Sequence, residues 1–273
     1  MAVKTLDDVT LSFHTLGEVD LEARASAASA AGFRSIGLSI RRTRAWLQDH
    51  PLAQLTDILG RHDLVVGELE ALRPLGAEPD EHEDFALGLA LDLGTPLIQV
   101  IGPAEGTVGE RAARLARLAE RAANQGVRLA LEFLPWTNVP TVTAAAEIVS
   151  AAGWANAGVC VDVWHLYRSG GSVDDLGPLW PYVASIQLDD GPLVPDIADD
   201  LHLDCLHHRL LPGEGAFDLV SILADAGSHA PTYALSIEVI SDRLAQLPTA
   251  EAAQLAASTT SRTLAAVEES YRV

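Results

Sequence analysis

The chain is poor in cysteine, in basic residues and in long hydrophobic runs. Among 273 residues there are two cysteines, Cys160 and Cys205, which exclude a disulfide framework and lack the spacing of a zinc cluster. Lys and Arg number 18 against 38 Asp and Glu, so the net charge of −20 repels phosphate backbones and argues against a nucleic-acid partner. No window approaches about 18 uncharged apolar residues, which argues against a membrane span.

Targeting signals and several catalytic signatures are also missing. The N-terminus has neither the basic start nor the apolar stretch of a signal peptide, so a cytoplasmic location is expected. The chain contains no G-x-G-x-x-G or P-loop stretch to cradle phosphates and no G-x-S-x-G elbow. Cys160 lies in an apolar run and is predicted to be a buried thiol rather than a nucleophile. The 48 % hydrophobic content is enough for a packed core.

Short apolar runs alternate with longer amphipathic stretches along the chain. The predicted strands are Val9–Phe13, Ser35–Leu38, Leu64–Leu69, Leu97–Ile101, Val127–Phe133, Gly158–Val163, Val183–Leu188 and Thr232–Val239. The predicted helices are Leu21–Ala31, Leu52–Arg61, Glu81–Leu93, Gly109–Gln125, Thr141–Ala152, Val173–Leu179, Leu219–Ala226 and a last one from Pro248 towards Tyr271. Eight β-then-α units predict a (β/α)₈ barrel, a single domain over residues 1–273, although a doubly wound open sheet has the same alternation.

The alternation breaks once, after the seventh predicted strand. Between Leu188 and the helix near Phe217 lies a long stretch with no predicted element, and loops of that length inside a domain are usually functional. It contains Arg209, which either binds a substrate carboxylate or phosphate or forms a salt bridge within an acidic loop. The sequence favours neither role over the other.

Four consecutive predicted strands end in polar side chains that stand among apolar neighbours: Glu132, Asp162, Gln187 and Glu238. In a barrel the carboxyl ends of the strands build the active site, so these groups should converge on one axis. Like carboxylates do not crowd together uncompensated, and a divalent cation is the simplest compensation. Carboxylate and amide oxygens are hard ligands that favour Mg²⁺ or Mn²⁺, accept Co²⁺ and suit Zn²⁺ less well.

Other side chains are expected beside this metal site. His165, three residues beyond Asp162, is a candidate for acid–base catalysis because imidazole exchanges its proton near neutral pH. Glu68 and Glu70 share one strand face, so both point into the barrel or neither does, and Glu70 is a candidate substrate contact. Trp136 either lines an apolar wall of the pocket or caps the barrel.

Five motifs together carry a family resemblance: Leu129–Pro135, Val161–His165, Ile186–Asp190, Arg209–Gly215 and Ile237–Val239. With them the chain resembles the xylose-isomerase-like barrels of the sugar phosphate isomerase/epimerase family. The likeness covers essentially the whole chain, is strongest between residues 129 and 240, and is specific for the superfamily rather than for one substrate.

The resemblance implies a divalent metal held by Glu132, Asp162, Gln187 and Glu238. In the ketose 3-epimerases of this family the two glutamate ligands also shuttle the substrate proton, which assigns that role to Glu132 and Glu238. A histidine near the strand-6 aspartate and a loop arginine hold the substrate there. In this chain those two residues are His165 and Arg209.

One residue departs from the epimerase pattern. Epimerases usually have histidine where this chain has Gln187, and a glutamine there is more similar to the 3-dehydroshikimate dehydratase branch. The related DNA-repair endonucleases carry more histidine ligands for a multi-zinc site, and their absence together with the charge of −20 argues against that activity.

Three functions therefore stay open. The first is a metal-dependent isomerase or epimerase of a small polyhydroxy carbonyl compound, which removes a proton next to a metal-bound carbonyl and passes through an enediolate. The second is a metal-dependent dehydratase of a cyclic keto compound such as 3-dehydroshikimate or an inosose. The third is a barrel that binds a ligand without turnover. The sequence decides neither the substrate, nor the metal, nor whether the chain forms a homo-oligomer.

Overall fold

Eight parallel strands form a closed barrel. The computed structural model describes residues 4–73, 78–102, 105–230 and 232–272. The strands are β1 (Val9–Leu11), β2 (Ser35–Ser39), β3 (Val65–Leu72), β4 (Leu97–Ile101), β5 (Arg128–Glu132), β6 (Ala157–Asp162), β7 (Val183–Leu188) and β8 (Ala234–Ile237). Each strand pairs with the next and β1 pairs with β8, so the fold is the predicted (β/α)₈ barrel and not a doubly wound open sheet.

Helices surround the barrel. They are α1 (Leu21–Ala30), α2 (Ile40–Trp46), α3 (Leu52–Arg61), α4 (Glu81–Leu93), α5 (Val108–Ala123), α6 (Val142–Ala152), α7 (Val163–Arg168), α8 (Val173–Leu176), α9 (Leu201–His207), α10 (Leu219–His229), α11 (Asp242–Ala245) and α12 (Thr249–Ser270). Four of them, α2, α7, α9 and α11, were not predicted, because four to seven residues are too few to show a helical period. None of the described helices is both long and apolar enough to cross a lipid bilayer.

The helix boundaries follow from capping residues. Gly94 and Gly153 end α4 and α6 with φ angles of 65° and 71°, the left-handed conformation that glycine adopts without a steric penalty. At the other end of α6, the Thr141 hydroxyl accepts a hydrogen bond from the backbone of Ala144. Helix α8 ends at Leu176 instead of Leu179, since the chain continues there as a 3₁₀ turn over Gly177–Tyr182.

Several strand ends differ from the predicted ones by one to three residues. Strand β1 ends at Leu11 because Phe13–Leu16 form a 3₁₀ turn, and β3 continues to Leu72. Strand β8 ends at Ile237, but the backbone N–H of Glu238 still donates to the carbonyl of Leu188 on β7. These shifts place Glu70 inside a strand and Glu238 immediately after one.

The interior of the barrel is polar at mid-height. Glu68, Gln99, Ser185 and Ser236 are all buried inside the strands, where barrels usually carry branched apolar residues. The Gln99 amide donates to the carboxylate of Glu68 and contacts the Ser185 hydroxyl. At the amino-terminal end, Arg128 donates to two backbone carbonyls. The filled interior leaves the opposite end of the barrel for a ligand.

The sequence predicted no helix or strand in the long segment after β7, but the structure shows that this segment is ordered. It contains α9 and is fastened by Asp190, whose carboxylate accepts hydrogen bonds from the backbone N–H groups of Gly191, Gly213, Gly215 and Phe217. Asp190 also pairs with Leu210 through two backbone hydrogen bonds. This fastening holds α9 and Arg209 over the carboxyl ends of the strands.

Candidate metal centre

A small cavity opens at the carboxyl ends of the strands. Its volume is about 100 Å³, and the polar or aromatic side chains that line it are those of His14, Glu70, Arg73, Glu132, Trp136, His165, His202, Cys205, Arg209 and Glu238. Six of these residues were candidates from the sequence alone. The remaining two candidates, Asp162 and Gln187, are buried at the ends of β6 and β7 and are register partners.

Glu132, Asp162 and His165 form one group of metal-ligating atoms. One atom from each lies within 4.8 Å of the other two. Asp162 ends β6 and caps α7, since its Oδ1 accepts a 2.8 Å hydrogen bond from the backbone N–H of His165. The imidazole Nε2 of His165 then lies 3.3 Å from Oε1 of Glu132 and 3.8 Å from Oδ2 of Asp162. The proximity predicted for these three residues is therefore present.

Arg209 lies among the carboxylates. Its Nη1 donates to Oδ2 of Asp162 at 2.7 Å and to Asp189, and lies 3.6 Å from Oε2 of Glu238. Its Nη2 contacts the Cys205 thiol at 3.0 Å, and its Nε donates to the carbonyl of the same residue. The structure thus shows the salt bridge that the sequence had left open, made with strand-end carboxylates and not within the loop alone. Substrate binding by Arg209 stays a prediction.

Burial and neighbouring charges shift the pKa values of these groups in opposite directions. Burial favours the neutral form of Asp162, yet the positive charges of Arg209 and His165 outweigh it and hold the pKa of Asp162 below its ordinary value. Burial raises the pKa of Asp189, and the charge of Asp162 adds to this. Burial and the charge of Glu70 raise the pKa of Glu238 well above its ordinary value. Of these three carboxyl groups, Asp162 is the one whose surroundings favour the ionised form.

Gln187 points into the barrel beside Asp162, but its amide oxygen has a partner. The Cys160 thiol donates a 3.0 Å hydrogen bond to Oε1 of Gln187, and both residues are buried. Burial raises the pKa of Cys160, so this thiol stays protonated, as its apolar run predicted. A carbonyl oxygen has two lone pairs, so the amide of Gln187 retains an acceptor position for a cation.

The donor set fits a divalent cation. Glu132, Asp162 and Glu238 bring buried carboxylates from three strands to the neighbourhood of one guanidinium, and Gln187 adds a neutral oxygen from a fourth. Burying like carboxylates together is costly unless positive charge compensates them. Hard oxygen ligands of this kind are those that bind Mg²⁺ and Mn²⁺.

Glu68 and Glu70 both point into the barrel, one of the two arrangements that the sequence allowed. Glu70 lines the cavity, and its Oε1 accepts hydrogen bonds from the Ser12 hydroxyl at 2.9 Å and from the backbone N–H of Phe13 at 2.7 Å. Glu68 lies one layer deeper, where burial and the charge of Glu70 raise its pKa well above the ordinary value. Only Glu70 is therefore in a position to contact a ligand in the cavity.

Aromatic rings form one wall of the cavity. Trp136 is 37 % exposed and lines the cavity, with its ring centroid 5.3 Å from that of His165 and 5.0 Å from that of His202. Trp164 is fully buried and lies under Arg209, whose guanidinium is 5.5 Å from the ring centroid. Of the two arrangements considered for Trp136, the structure shows the pocket wall.

Sequence reasoning missed four cavity residues. His14 lies in the 3₁₀ turn after β1 and Arg73 directly follows β3, so neither interrupts an apolar strand. His202 lies in the long segment after β7, and the unpredicted helix α9 brings it to the cavity. Cys205 lies beside Arg209, and burial raises the pKa of its thiol to about 11, so it is not a nucleophile at neutral pH.

The closed barrel and the carboxylates at its mouth define the class of the protein, a (β/α)₈ barrel with a candidate metal centre. The chain belongs to the xylose isomerase-like TIM barrel family, whose sequence model matches residues 25–261. This membership agrees with the resemblance that the strand-end motifs carry.

Two curated proteins are similar to this chain in sequence. The 3-dehydroshikimate dehydratase of Pseudomonas aeruginosa is 33 % identical over 175 residues, which cover 62 % of this chain and 27 % of that protein. An inosose isomerase of Halalkalibacterium halodurans is 31 % identical over 151 residues, which cover 54 % of this chain and 51 % of that protein. The chain thus spans about a quarter of the first relative and about half of the second. Both relatives are named as enzymes.

A solved structure supports the fold independently. The crystal structure of the IOLI protein with a bound zinc atom has a TM-score of 0.79 to this chain at 23 % sequence identity. The alignment covers 94 % of this chain and 98 % of that one. At this level of identity the likeness shows the shared barrel, and the zinc atom belongs to that protein.

Proposed function

We propose that the protein is a divalent-metal-dependent isomerase or epimerase of a small polyhydroxy carbonyl compound. The observation that carries this proposal is the position of Glu132 and Glu238, which reach the same cavity from the ends of two strands that β6 and β7 separate. Two carboxyl groups on different walls of one cavity are suited to take a proton from a substrate carbon and to return one. The family membership agrees with this chemistry.

The metal would be held by Glu132, Asp162, Gln187 and Glu238. A divalent cation supplies Lewis-acid polarisation of the substrate carbonyl, which acidifies the neighbouring C–H bond. The cavity of about 100 Å³ restricts the substrate to a small molecule. Mg²⁺ and Mn²⁺ are the cations that the oxygen donors favour.

The residues around the cavity divide the proton chemistry between them. In an epimerisation, one of Glu132 and Glu238 removes the proton from one face of the carbon, and the other delivers a proton to the opposite face. In an isomerisation, the removed proton returns to the adjacent carbon, and the substrate hydroxyl and carbonyl exchange places. His165, 3.3 Å from Glu132, would donate a hydrogen bond to the substrate oxygen on which negative charge develops.

Exchange of substrate protons with deuterated solvent tests this function. A panel of ketoses and aldoses is incubated with the Mg²⁺-loaded protein in D₂O, and deuterium incorporation next to the carbonyl is followed by nuclear magnetic resonance. We expect incorporation that stops after chelation and dialysis and returns when Mg²⁺ is added back. Incorporation that survives chelation would contradict the metal-dependent mechanism. No incorporation with any sugar would contradict the sugar isomerase.

A second candidate, a dehydratase of a cyclic keto acid, is favoured by two specific observations. Gln187 takes the place where the epimerases usually have histidine, and the relative with 33 % identity is named a 3-dehydroshikimate dehydratase. Arg73 adds a cation at the cavity without an ion pair in the described part of the chain, whereas Arg209 is fully engaged. A substrate carboxylate would therefore bind Arg73 more readily than Arg209.

Ultraviolet absorbance separates the two candidates. Dehydration of 3-dehydroshikimate removes one water molecule, and enolisation, which moves a ring proton from carbon to the ketone oxygen, leaves an aromatic dihydroxybenzoate. We expect an absorbance increase if the second candidate is the activity, and none if the protein acts on sugars. The same metal-loaded preparation serves for both assays, so an inactive preparation is not mistaken for a negative result.

A further inference from the structure

The hydroxyl of Thr15 bridges the backbone on either side of Glu238. Thr15 is buried and lies in the 3₁₀ turn Phe13–Leu16 after β1. Its Oγ1 donates a hydrogen bond to the carbonyl of Ile237 at 2.8 Å and accepts one from the backbone N–H of Val239 at 3.1 Å. A hydroxyl group is both a donor and an acceptor, so a single threonine makes both bonds.

The bridge lies where the pairing of β1 with β8 ends. The two strands pair as far as Leu11 and Ile237, and one further bond joins the N–H of Ser12 to the carbonyl of Ile237. The chain then enters the 3₁₀ turn, so β1 offers no backbone partner to Val239. Val239 is fully buried, and among the described residues its N–H donates to the Thr15 hydroxyl alone. A buried N–H group without a partner is costly, so Thr15 takes the place of the missing strand.

Glu238 is therefore held by its backbone from both neighbouring strands. Its own N–H donates to the carbonyl of Leu188 on β7 at 2.9 Å, and Thr15 holds the residues before and after it from the side of β1. Peptide groups are planar, so fixing both peptides that flank a residue also fixes the direction of its Cα–Cβ bond. The carboxylate itself makes longer contacts, 3.6 Å to Arg209 Nη1 and 4.0 Å to His14 Nε2.

The turn that carries Thr15 is fixed at both of its ends. The buried guanidinium of Arg24 donates to the carbonyl of Phe13 at 2.6 Å and to that of Gly17 at 2.7 Å. Phe13 begins the turn and Gly17 follows it. The same guanidinium lies over the Phe13 ring, 4.4 Å from its centroid. The Thr15 hydroxyl is thus part of a rigid support and does not follow a displaced Glu238.

We propose that Thr15 is a positioning residue that sets the place of the Glu238 carboxylate at the cavity. This inference rests on the proposed function, in which Glu238 binds the cation and exchanges a proton with one face of the substrate. Thr15 does not line the cavity, so it acts through Glu238 and not on the substrate. Groups that orient a metal ligand from behind are each worth about 10–100-fold in metal affinity or activity.

Replacing the hydroxyl by a methyl group tests this role without any assay of activity. Thr15→Val keeps the shape of the side chain and removes both hydrogen bonds, whereas Thr15→Ser keeps the hydroxyl. Chelator-treated protein is titrated with Mn²⁺, and the free ion is measured by electron paramagnetic resonance. We expect the Kd for Mn²⁺ to rise about 10–100-fold in Thr15→Val and less than about threefold in Thr15→Ser.

Thr259→Val is the matched control for the Mn²⁺ titration. Thr259 is a buried threonine of α12 that does not line the cavity, and its hydroxyl also donates to backbone carbonyls. We expect its Kd to equal that of the unaltered protein. Thr15→Ala removes the hydroxyl without placing a methyl group against the two backbone groups, and it replaces Thr15→Val if that variant does not fold. An unchanged Kd without the hydroxyl would overturn the proposal, as would an equal rise in Thr259→Val.

Proton exchange from two separate epimers shows which carboxylate Thr15 serves. At saturating Mg²⁺, Thr15→Val should slow exchange about 10–100-fold for the epimer that Glu238 serves and less than about threefold for the epimer that Glu132 serves. Glu238→Gln identifies the first of these epimers. Equal slowing for both epimers would overturn the proposal and leave the proposed function standing. No exchange in the unaltered protein would contradict the proposed function, while the Mn²⁺ titration still decides the role of Thr15.

Discussion

Arg209 and Asp162 are joined by a 2.7 Å hydrogen bond between Nη1 and Oδ2, and both side chains are buried. The other oxygen of Asp162 caps α7 and holds the backbone of His165. One carboxylate thus connects the end of β6, the helix that carries His165 and the segment that carries Arg209. The geometry of the candidate metal centre depends on this connection.

Removing the charge of Asp162 should be costly even without a metal. Asp162→Asn keeps an oxygen to cap α7 but leaves Arg209 with one fewer carboxylate, and breaking a buried ion pair costs about 3–5 kcal/mol. The free energy of unfolding, measured by urea titration of chelator-treated protein, should fall by that order. The exposed pair Arg34–Asp63 provides the control, because Asp63→Asn should cost less than about 1 kcal/mol. Equal losses in the two variants would refute the role given to Asp162.

Most of the fold follows from the sequence because it depends on local patterns. Apolar runs of four to eight residues indicated all eight strands, and Gly94 and Gly153 lie where α4 and α6 end. The short helix α9 was not predicted, since seven residues bury too few side chains to produce a period. The position of α9 depends on the carboxylate of Asp190, which accepts hydrogen bonds from backbone N–H groups between residues 191 and 217. These bonds are tertiary contacts, which a local sequence pattern does not reveal.

The candidate site was predictable where polar residues interrupt apolar strands. Glu132, Asp162 and Glu238 stand out in this way, and barrel geometry brings them to one mouth. His14 lies in the 3₁₀ turn after β1 and Arg73 directly follows β3. At such positions a polar residue is ordinary, and no pattern distinguishes a ligand from a solvated side chain. The partners of Arg209 were equally hidden, because no sequence pattern pairs a residue at position 209 with one at position 162.

Replacing each proposed base separately should reveal which face of the substrate it serves. Glutamine keeps an oxygen ligand but cannot accept the substrate proton, so Glu132→Gln and Glu238→Gln should each lower epimerisation by about 10²–10⁴-fold. Each variant should still exchange the proton of one epimer with D₂O, because the remaining glutamate serves that face. Nuclear magnetic resonance of the two separate epimers measures this. Loss of exchange from both epimers in one variant alone would indicate a single base. Metal content is measured alongside, to exclude loss of the ion.

Glu68 should make the stability of the protein fall as the pH rises. The unfolded chain releases this proton near its ordinary pKa of 4.5, whereas burial keeps the folded carboxyl protonated to a much higher pH. Below about pH 4.5 the carboxyl of Glu68 is protonated in both the folded and the unfolded state and does not affect stability. Above about pH 4.5 the free energy of unfolding falls by up to about 1.4 kcal/mol per pH unit, until the carboxyl of the folded protein ionises.

The variant Glu68→Gln isolates this effect, because glutamine is a neutral group of similar shape at every pH. Its free energy of unfolding relative to the unaltered protein should increase steadily from pH 4 upwards, with both proteins kept in chelator so that their metal state is the same. The change of this free-energy difference with pH reports the protonation of Glu68. Its value at any single pH also includes the effect of the substitution on the hydrogen bond to Gln99. A difference that does not change with pH would show that Glu68 is ionised in the folded protein.

Arg73 should decide whether an anionic substrate is preferred. Arg73 lines the same cavity as Glu70. Arg73→Gln should therefore raise the KM of a substrate with a carboxylate or phosphate by about 10–100-fold, the effect of losing a charge-assisted hydrogen bond. The KM of an uncharged sugar should change by less than about twofold, and kcat should change little for either. Arg44→Gln, at an exposed pair with Glu81, controls for the loss of a surface charge. An equal rise for charged and uncharged substrates would mean that Arg73 shapes the cavity without binding the anion.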